Sequence, residues 1–208
     1  MRLFFKTIKE FVRTKRSDFL SLGFILAVYF SSNGLMALMK SFEKNYSVFK
    51  KRLLWEKRLR AIGMTFMLGF LLFVSTFLVI LGNLIFSWIF SLIKLSALTK
   101  GFLYLLKWII VIGSLYFGIA LIYRFGVAMR RKINFFSPGA ATATVLSLFS
   151  SVIFSFYVDN FGNYNKVYGS FVAGIVMLLW LQLNAVILII GFELNAAIVV
   201  NRERFENF

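Results

Sequence analysis

Four polar side chains stand in an otherwise apolar stretch near the end of this chain: Gln182, Asn184, Glu193 and Asn195, within YGSFVAGIVMLLWLQLNAVILIIGFELNAAIVV, residues 168–200. On a helix, positions eleven apart nearly eclipse at ~100° per residue, so Gln182 lies over Glu193, and Asn184 over Asn195 on the opposite side. Two polar stripes on one apolar helix support two chemistries. Carboxylate and amides can line a path through a membrane, or they can act as hydrogen-bonding glue between helices. Acid–base or metal-assisted catalysis has few candidate groups. The chain has no His and no Cys, and its eight carboxylates are scattered, whereas a metal-dependent hydrolase needs several donors converging on one point. No catalytic residue, metal site or cofactor is expected.

The elements that position these groups are transmembrane helices. With 60% hydrophobic residues, 27 Phe, one Pro and a mean hydropathy of +0.83, the 208-residue chain is far more apolar than soluble domains. Its apolar runs are long and continuous, not the alternating ten-residue segments of a β-barrel. The fold class is therefore all-α, a polytopic helical membrane protein with about five transmembrane helices and an N-terminal amphipathic helix. The organisation is an interfacial segment over residues 1–17, a bundle over 18–200 and a short polar tail over 201–208. Since polar groups facing lipid go unsatisfied at several kcal/mol each, the last helix is expected to be surrounded by the others as their central post.

Residues 1–17 place Leu3, Phe4, Ile8, Phe11 and Val12 at helical spacing among basic residues, which fits a helix in the membrane interface or one packed on the bundle from outside. The first span is Phe19–Met39; its Ser31, Ser32, Asn33 and Gly34 mark close helix contact, with Asn33 on a polar path as the lesser reading. Residues 40–60 form the most basic connection. Lys50, Lys51, Arg52, Lys57, Arg58 and Arg60 either contact anionic headgroups or serve as stop-transfer charge. The second apolar run, from Ile62 to Ile93, exceeds one crossing and is split at Gly82-Asn83, with Trp88 at the outer interface. The third span, Phe102–Tyr123, holds Lys107, placed to snorkel. Pro138 suits the first turn of the fourth span, Ala140–Val158, whose small residues allow close approach.

A formal net charge of +16 raises the question of nucleic acid, but the charges flank spans and do not form a soluble face, so no nucleic-acid partner is expected. Loop 40–60 on the cytoplasmic side puts 14 Lys and Arg there and nine opposite, six of the nine within residues 1–17. Membrane lipids are the expected partners, anionic headgroups at the cytoplasmic face, and the bundle is of a kind that can form a homo-oligomer. Glu193 is either solvated at the interface or enclosed by the bundle; enclosed, a bare carboxylate is too costly, so it is protonated or held by a basic or amide partner on a neighbouring helix, with Arg124, at the cytoplasmic end of the third span, the first choice.

The segments SLGFILAVYFSSNGLMALMKSF, SPGA and YGSFVAGIVMLLWLQLNAVILIIGFELNA resemble the YihY/BrkB family of bacterial inner-membrane proteins. The resemblance covers residues 17–200 and departs from the family pattern at Glu43, where Asn is expected after Phe42. It implies a multi-pass protein of the bacterial inner membrane, with both termini cytoplasmic and a further span upstream of the present chain. That upstream span would account for the six basic residues on the unexpected side. It also implies a role in virulence or serum resistance, with transport or lipid handling suggested, and an older label, ribonuclease BN. Lacking His and a carboxylate cluster, this chain is not expected to hydrolyse RNA. Transport of an anionic lipid or lipid-linked envelope component and a non-transporting scaffold are weighed evenly on the residues alone.

Overall fold

The computed structural model describes residues 16–44, 48–92, 97–130, 132–160 and 165–206. The amphipathic segment 1–17 lies outside them except for its last two residues, which open the first helix. Five helices follow one another: α1 (Arg16–Ser41), α2 (Leu54–Leu92), α3 (Ala97–Leu121), α4 (Pro138–Asn160) and α5 (Asn165–Glu206). All five contain stretches long and apolar enough to cross a membrane. Each packs on the next in chain order. Continuous helices are what hydrocarbon demands, because they satisfy backbone N–H and C=O groups internally.

Several expected boundaries shift. The second span is not broken at Gly82-Asn83; α2 runs unbroken to Leu92. A glycine inside a helix costs only ~1 kcal/mol relative to alanine, far less than freeing backbone groups in an apolar medium. At its other end α2 begins at Leu54, so the second half of the basic connection is helical. The last helix extends through Glu206, past Val200 into the polar tail.

The connection between α1 and α2 pairs with the segment that follows α3. Residues 48–50 pair with 128–130 as a short antiparallel bridge: the Lys50 N–H donates to the Ala128 carbonyl at 2.7 Å, and the Arg130 N–H donates to the Val48 carbonyl at 2.9 Å. This strap folds back under the bundle, and Phe42 and Val48 are buried at 1% and 2% exposure. Opposite it, α3 ends in a π-helical turn, Ile122–Gly126, which touches α1, α2 and α3.

The tight core sits at this basic end. It comprises Met39, Phe42, Val48, Ala61, Met64, Ile119 to Tyr123, Val127, Met129, Ile133, Ala140, Ala143, Phe192 and Ala196. Toward the other end the helices expose their side chains, as at Val152, Ile153 and Phe156 of α4 and Ile175, Met177 and Leu178 of α5. Tyr123, at the end of α3, is the largest fully buried side chain among the described residues, and the last helix is not surrounded by the others as expected. Helix α5 packs chiefly along α4, and among its described residues the buried ones are Gly191, Phe192, Asn195 and Ala196 near the basic end.

Candidate functional site

The four polar residues of α5 separate into four environments. Asn195, 3% exposed, accepts the Gly139 N–H at 2.9 Å through Oδ1 and donates through Nδ2 to Ser137 Oγ at 3.2 Å. Ser137 is the N-cap of α4 and accepts the Ala140 N–H at 3.3 Å, while the Ala141 N–H makes the first helical bond to the Ser137 carbonyl. Proline at the first helical position has no N–H to satisfy. The orphan donors of this helix start are thus accounted for, one of them by a side chain 56 residues away.

Asn184, expected on the same stripe, turns back to the Trp180 carbonyl of its own helix at 2.9 Å and bridges nothing. Glu193 pairs with Lys44 of the strap at 2.5 Å, with side chains 48% and 35% exposed. The expected partner, Arg124, stands elsewhere: its guanidinium lies 4.4 Å from the centre of the Phe135 ring and donates to the Ile133 carbonyl at 3.4 Å. Burial of Glu193 by the bundle is also not found, because the boundary of the tight core passes between Phe192, 0% exposed, and its neighbour.

The close approach that makes Asn195 useful rests on two glycines. A Cβ on Gly139 would lie 2.0 Å from the Gly191 carbonyl oxygen, and one on Gly191 would lie 2.4 Å from the Tyr123 hydroxyl. That hydroxyl donates to the Leu188 carbonyl at 2.8 Å. Helices α3, α4 and α5 are thereby pinned at one point.

The six basic residues singled out as headgroup contacts, three in the α1–α2 connection and three in the first turns of α2, also divide. Arg52 reaches into the fold and donates through Nη1 to the Gly126 carbonyl at 2.9 Å and the Phe125 carbonyl at 3.4 Å, and through Nη2 to the Val127 carbonyl at 2.7 Å. It closes the C-terminal end of the π-helical turn, where carbonyls lack helical partners and the helix dipole favours a cation. Burial first, then the Arg60 charge, pushes the Arg52 guanidinium below its usual value. Arg58 donates to Asn33 Oδ1 and lies 4.6 Å from the Tyr29 ring centre, which ties α2 to α1 and gives Asn33 a structural partner. Lys57 pairs with Glu43 at 2.5 Å, at the position where the family resemblance leads one to expect Asn. Lys50, Lys51 and Arg60 are exposed, as are Leu53, Leu54, Trp55 and Leu59 beside them.

Gln182 occupies the fourth environment, with its side chain exposed. Away from the glycine contact α4 and α5 splay, and the space between them is a cavity of about 700 Å³. Its walls are Leu146, Phe149, Ile153, Phe154, Leu179, Leu183, Val186 and Ile187, with Ser150, Tyr157 and Gln182 as the polar members. Sequence reasoning named Gln182 but not the wedge, because helix splay leaves no mark in a hydrophobic pattern. A smaller cavity of about 220 Å³ lies at the basic end beside Lys132, Asn195, Arg202 and Glu203. The adjoining start of α4 has no free N–H to offer it. Among the described residues, no three His, Cys, Asp or Glu side chains gather as metal ligands.

The chain matches the family described as Virulence factor BrkB over residues 1–207. It belongs to that family. Relatives of this BrkB-family chain include a Bacillus subtilis (strain 168) protein named ribonuclease-like protein YfkH, 29% identical over 185 residues, which are 89% of this chain and 67% of the relative. A UPF0761 membrane protein of Vibrio campbellii is 30% identical over 108 residues, 52% of this chain and 34% of its own length. Another, from Tolumonas auensis, is 26% identical over 111 residues, 53% and 35%. The matched stretch thus spans two thirds of the first relative and about a third of the other two. No solved structure matches the chain. Membership of the BrkB family and five candidate spans make this an integral membrane protein.

Proposed function

We propose that this protein handles a lipid or lipid-linked envelope component within the bilayer, without catalysing a covalent reaction. One observation carries this reading: α4 and α5 are pinned together at Gly139 and Gly191 and splay into an apolar wedge of about 700 Å³ inside the spanning region. A rigid contact at one end with a space lined mostly by apolar side chains at the other suits a guest that is largely hydrocarbon. Exposed Lys50, Lys51 and Arg60 at the basic end, beside exposed Trp55, supply charge and an aromatic anchor at headgroup level. In the bacterial inner membrane that end faces the cytoplasm on this reading. With Cys placed singly at Ser41 or Gly101 in this cysteine-free chain, an impermeant thiol reagent applied to intact cells labels Gly101→Cys; labelling at Ser41→Cys instead reverses the orientation.

The ribonuclease-like name of the YfkH relative does not extend to this chain on our reading. The support is chemical, since the chain has no His and its described carboxylates do not converge. The test of the main reading is reconstitution of the full chain into phosphatidylethanolamine/phosphatidylglycerol vesicles with a trace of headgroup-labelled fluorescent lipid. Inner-leaflet label becomes accessible to an external quencher faster than in protein-free vesicles. Filling the wedge with Leu183→Trp or Ser150→Phe slows that transfer. Equal rates with and without the protein would refute lipid transfer and favour a scaffold.

A further inference from the structure

Ser137 is used twice as an acceptor, and its own proton is left over. The side chain is 6% exposed, and its Oγ takes the Ala140 N–H at 3.3 Å and Asn195 Nδ2 at 3.2 Å. A hydroxyl also carries one donor, and an amide nitrogen carries two. Among the described residues, neither the Ser137 O–H nor the second hydrogen of Asn195 Nδ2 has an acceptor. Asn195 is 3% exposed, so two buried donors stand together, and burying a donor without a partner is costly.

Both side chains line the smaller cavity, about 220 Å³, at the basic end. It lies where the apolar span of α4 begins, at Pro138, and that of α5 gives way to charge, at Arg202 and Glu203. The rest of its polar lining is exposed Lys132, Asn134 and Arg202, with Glu203 the carboxylate among them. Two cations against one carboxylate leave the lining net positive. Lys132 makes no hydrogen bond or ion pair with another described residue. Arg202 already has an interaction, but a guanidinium carries five N–H donors. Phe136, 89% exposed, and Ile198 add apolar surface at the same place.

Water can accept the two inner protons, but it leaves the two cations without a counter-charge. A planar carboxylate has its two oxygens on one side, whereas buried donors inside and cations outside approach an anion from two sides. The tetrahedral oxygens of a phosphate meet both, with charge-assisted hydrogen bonds to the cations. We propose that the cavity between the start of α4 and the end of α5 binds a phosphate group, its oxygens held by the Ser137 hydroxyl and Asn195 Nδ2 inside and by Lys132 and Arg202 outside. A lipid headgroup and inorganic phosphate share this chemistry. The site does not depend on lipid transfer through the α4–α5 wedge.

Thermal unfolding of the full chain in neutral detergent, titrated at constant ionic strength with dihexanoyl phosphatidylglycerol, dihexanoylglycerol or sodium phosphate, tests it, since a ligand of the folded state raises the unfolding temperature. Saturable stabilisation by dihexanoyl phosphatidylglycerol and not by dihexanoylglycerol is the result expected of a headgroup site; saturable stabilisation by sodium phosphate is that of a free-phosphate site. Lys132→Gln and Arg202→Gln each weaken the binding about tenfold, the equivalent of one charge-assisted hydrogen bond, and Lys132→Gln does so without changing the unfolding temperature of the unliganded protein. Arg130→Gln, which removes the same charge from an exposed residue outside the lining, leaves affinity near that of wild type. An equal loss in Arg130→Gln would show that binding follows net charge, and would refute the site. Wild-type affinity in both Lys132→Gln and Arg202→Gln would refute it too. Stabilisation by neither phosphate probe would mean that the cavity holds water only.

Discussion

The carbonyl oxygen of Gly191 sits where a side chain on Gly139 would begin, 2.0 Å from that Cβ position. Contact of this kind between two helix backbones leaves no adjustable atom on either side. Gly139→Ala therefore forces α4 and α5 apart, and Gly191→Ala does the same against the Tyr123 hydroxyl. Overpacking of this sort costs about 1–3 kcal/mol. Both variants should unfold at lower temperature in detergent than wild type, whereas Gly174→Ala, with open space around its Cβ, should not.

Asn195 completes the cap of α4 from another helix. Asn195→Leu leaves the Gly139 N–H buried and unpaired, and loss of a capping acceptor costs about 1–2 kcal/mol. Asn195→Asp keeps the acceptor beside the positive end of the helix dipole and should lose less. Thermal unfolding of the two variants checks the order, and equal losses would mean that the contact is steric only.

Arg52 bonds three successive carbonyls with a planar fork. Lysine offers charge without that geometry. Arg52→Lys should therefore behave much like Arg52→Met, both loosening the strap, with faster hydrogen exchange at Lys50 and Arg130, whose N–H groups form the bridge. Full protection in Arg52→Lys would show that charge alone suffices.

Glu193 and Lys44 are half exposed, and such pairs contribute about 0–1 kcal/mol. Glu193→Gln should change unfolding by no more than that and leave vesicle lipid transfer near the wild-type rate. A large loss of transfer at normal stability would restore the carboxylate to a pathway role.

Phe49 and Met129 face each other across the bridge as a pair without mutual backbone hydrogen bonds, since the bonds run from the flanking residues. In such pairs the Cα atoms are ~4.5 Å apart, within reach of a disulfide. Phe49→Cys with Met129→Cys should oxidise readily to an intramolecular disulfide, visible as a mobility shift lost on reduction. Failure to cross-link would mean that the strap does not rest under the bundle.

Hydropathy and charge in the sequence determined the class, the five spans, the small-residue start of α4 and the Pro138 boundary, because each depends on neighbours along the chain. A span needs about 20 apolar residues in a row, and proline at a first turn is a local preference. The roles of the polar residues were not legible that way. Eclipsed spacing on α5 set Asn195 beside Asn184 and Glu193 beside Gln182, yet the four side chains have four fates: a cap, a local bond, an ion pair and a wall of the wedge. Helical periodicity says which side chains share a face, but not how far along that face the next helix stays in contact. That distance was decided by the tertiary structure, through the glycine contact of Gly139 and Gly191 and the return of the strap to the end of α3. Both join residues tens of positions apart, and a repeating apolar pattern carries no record of such pairings.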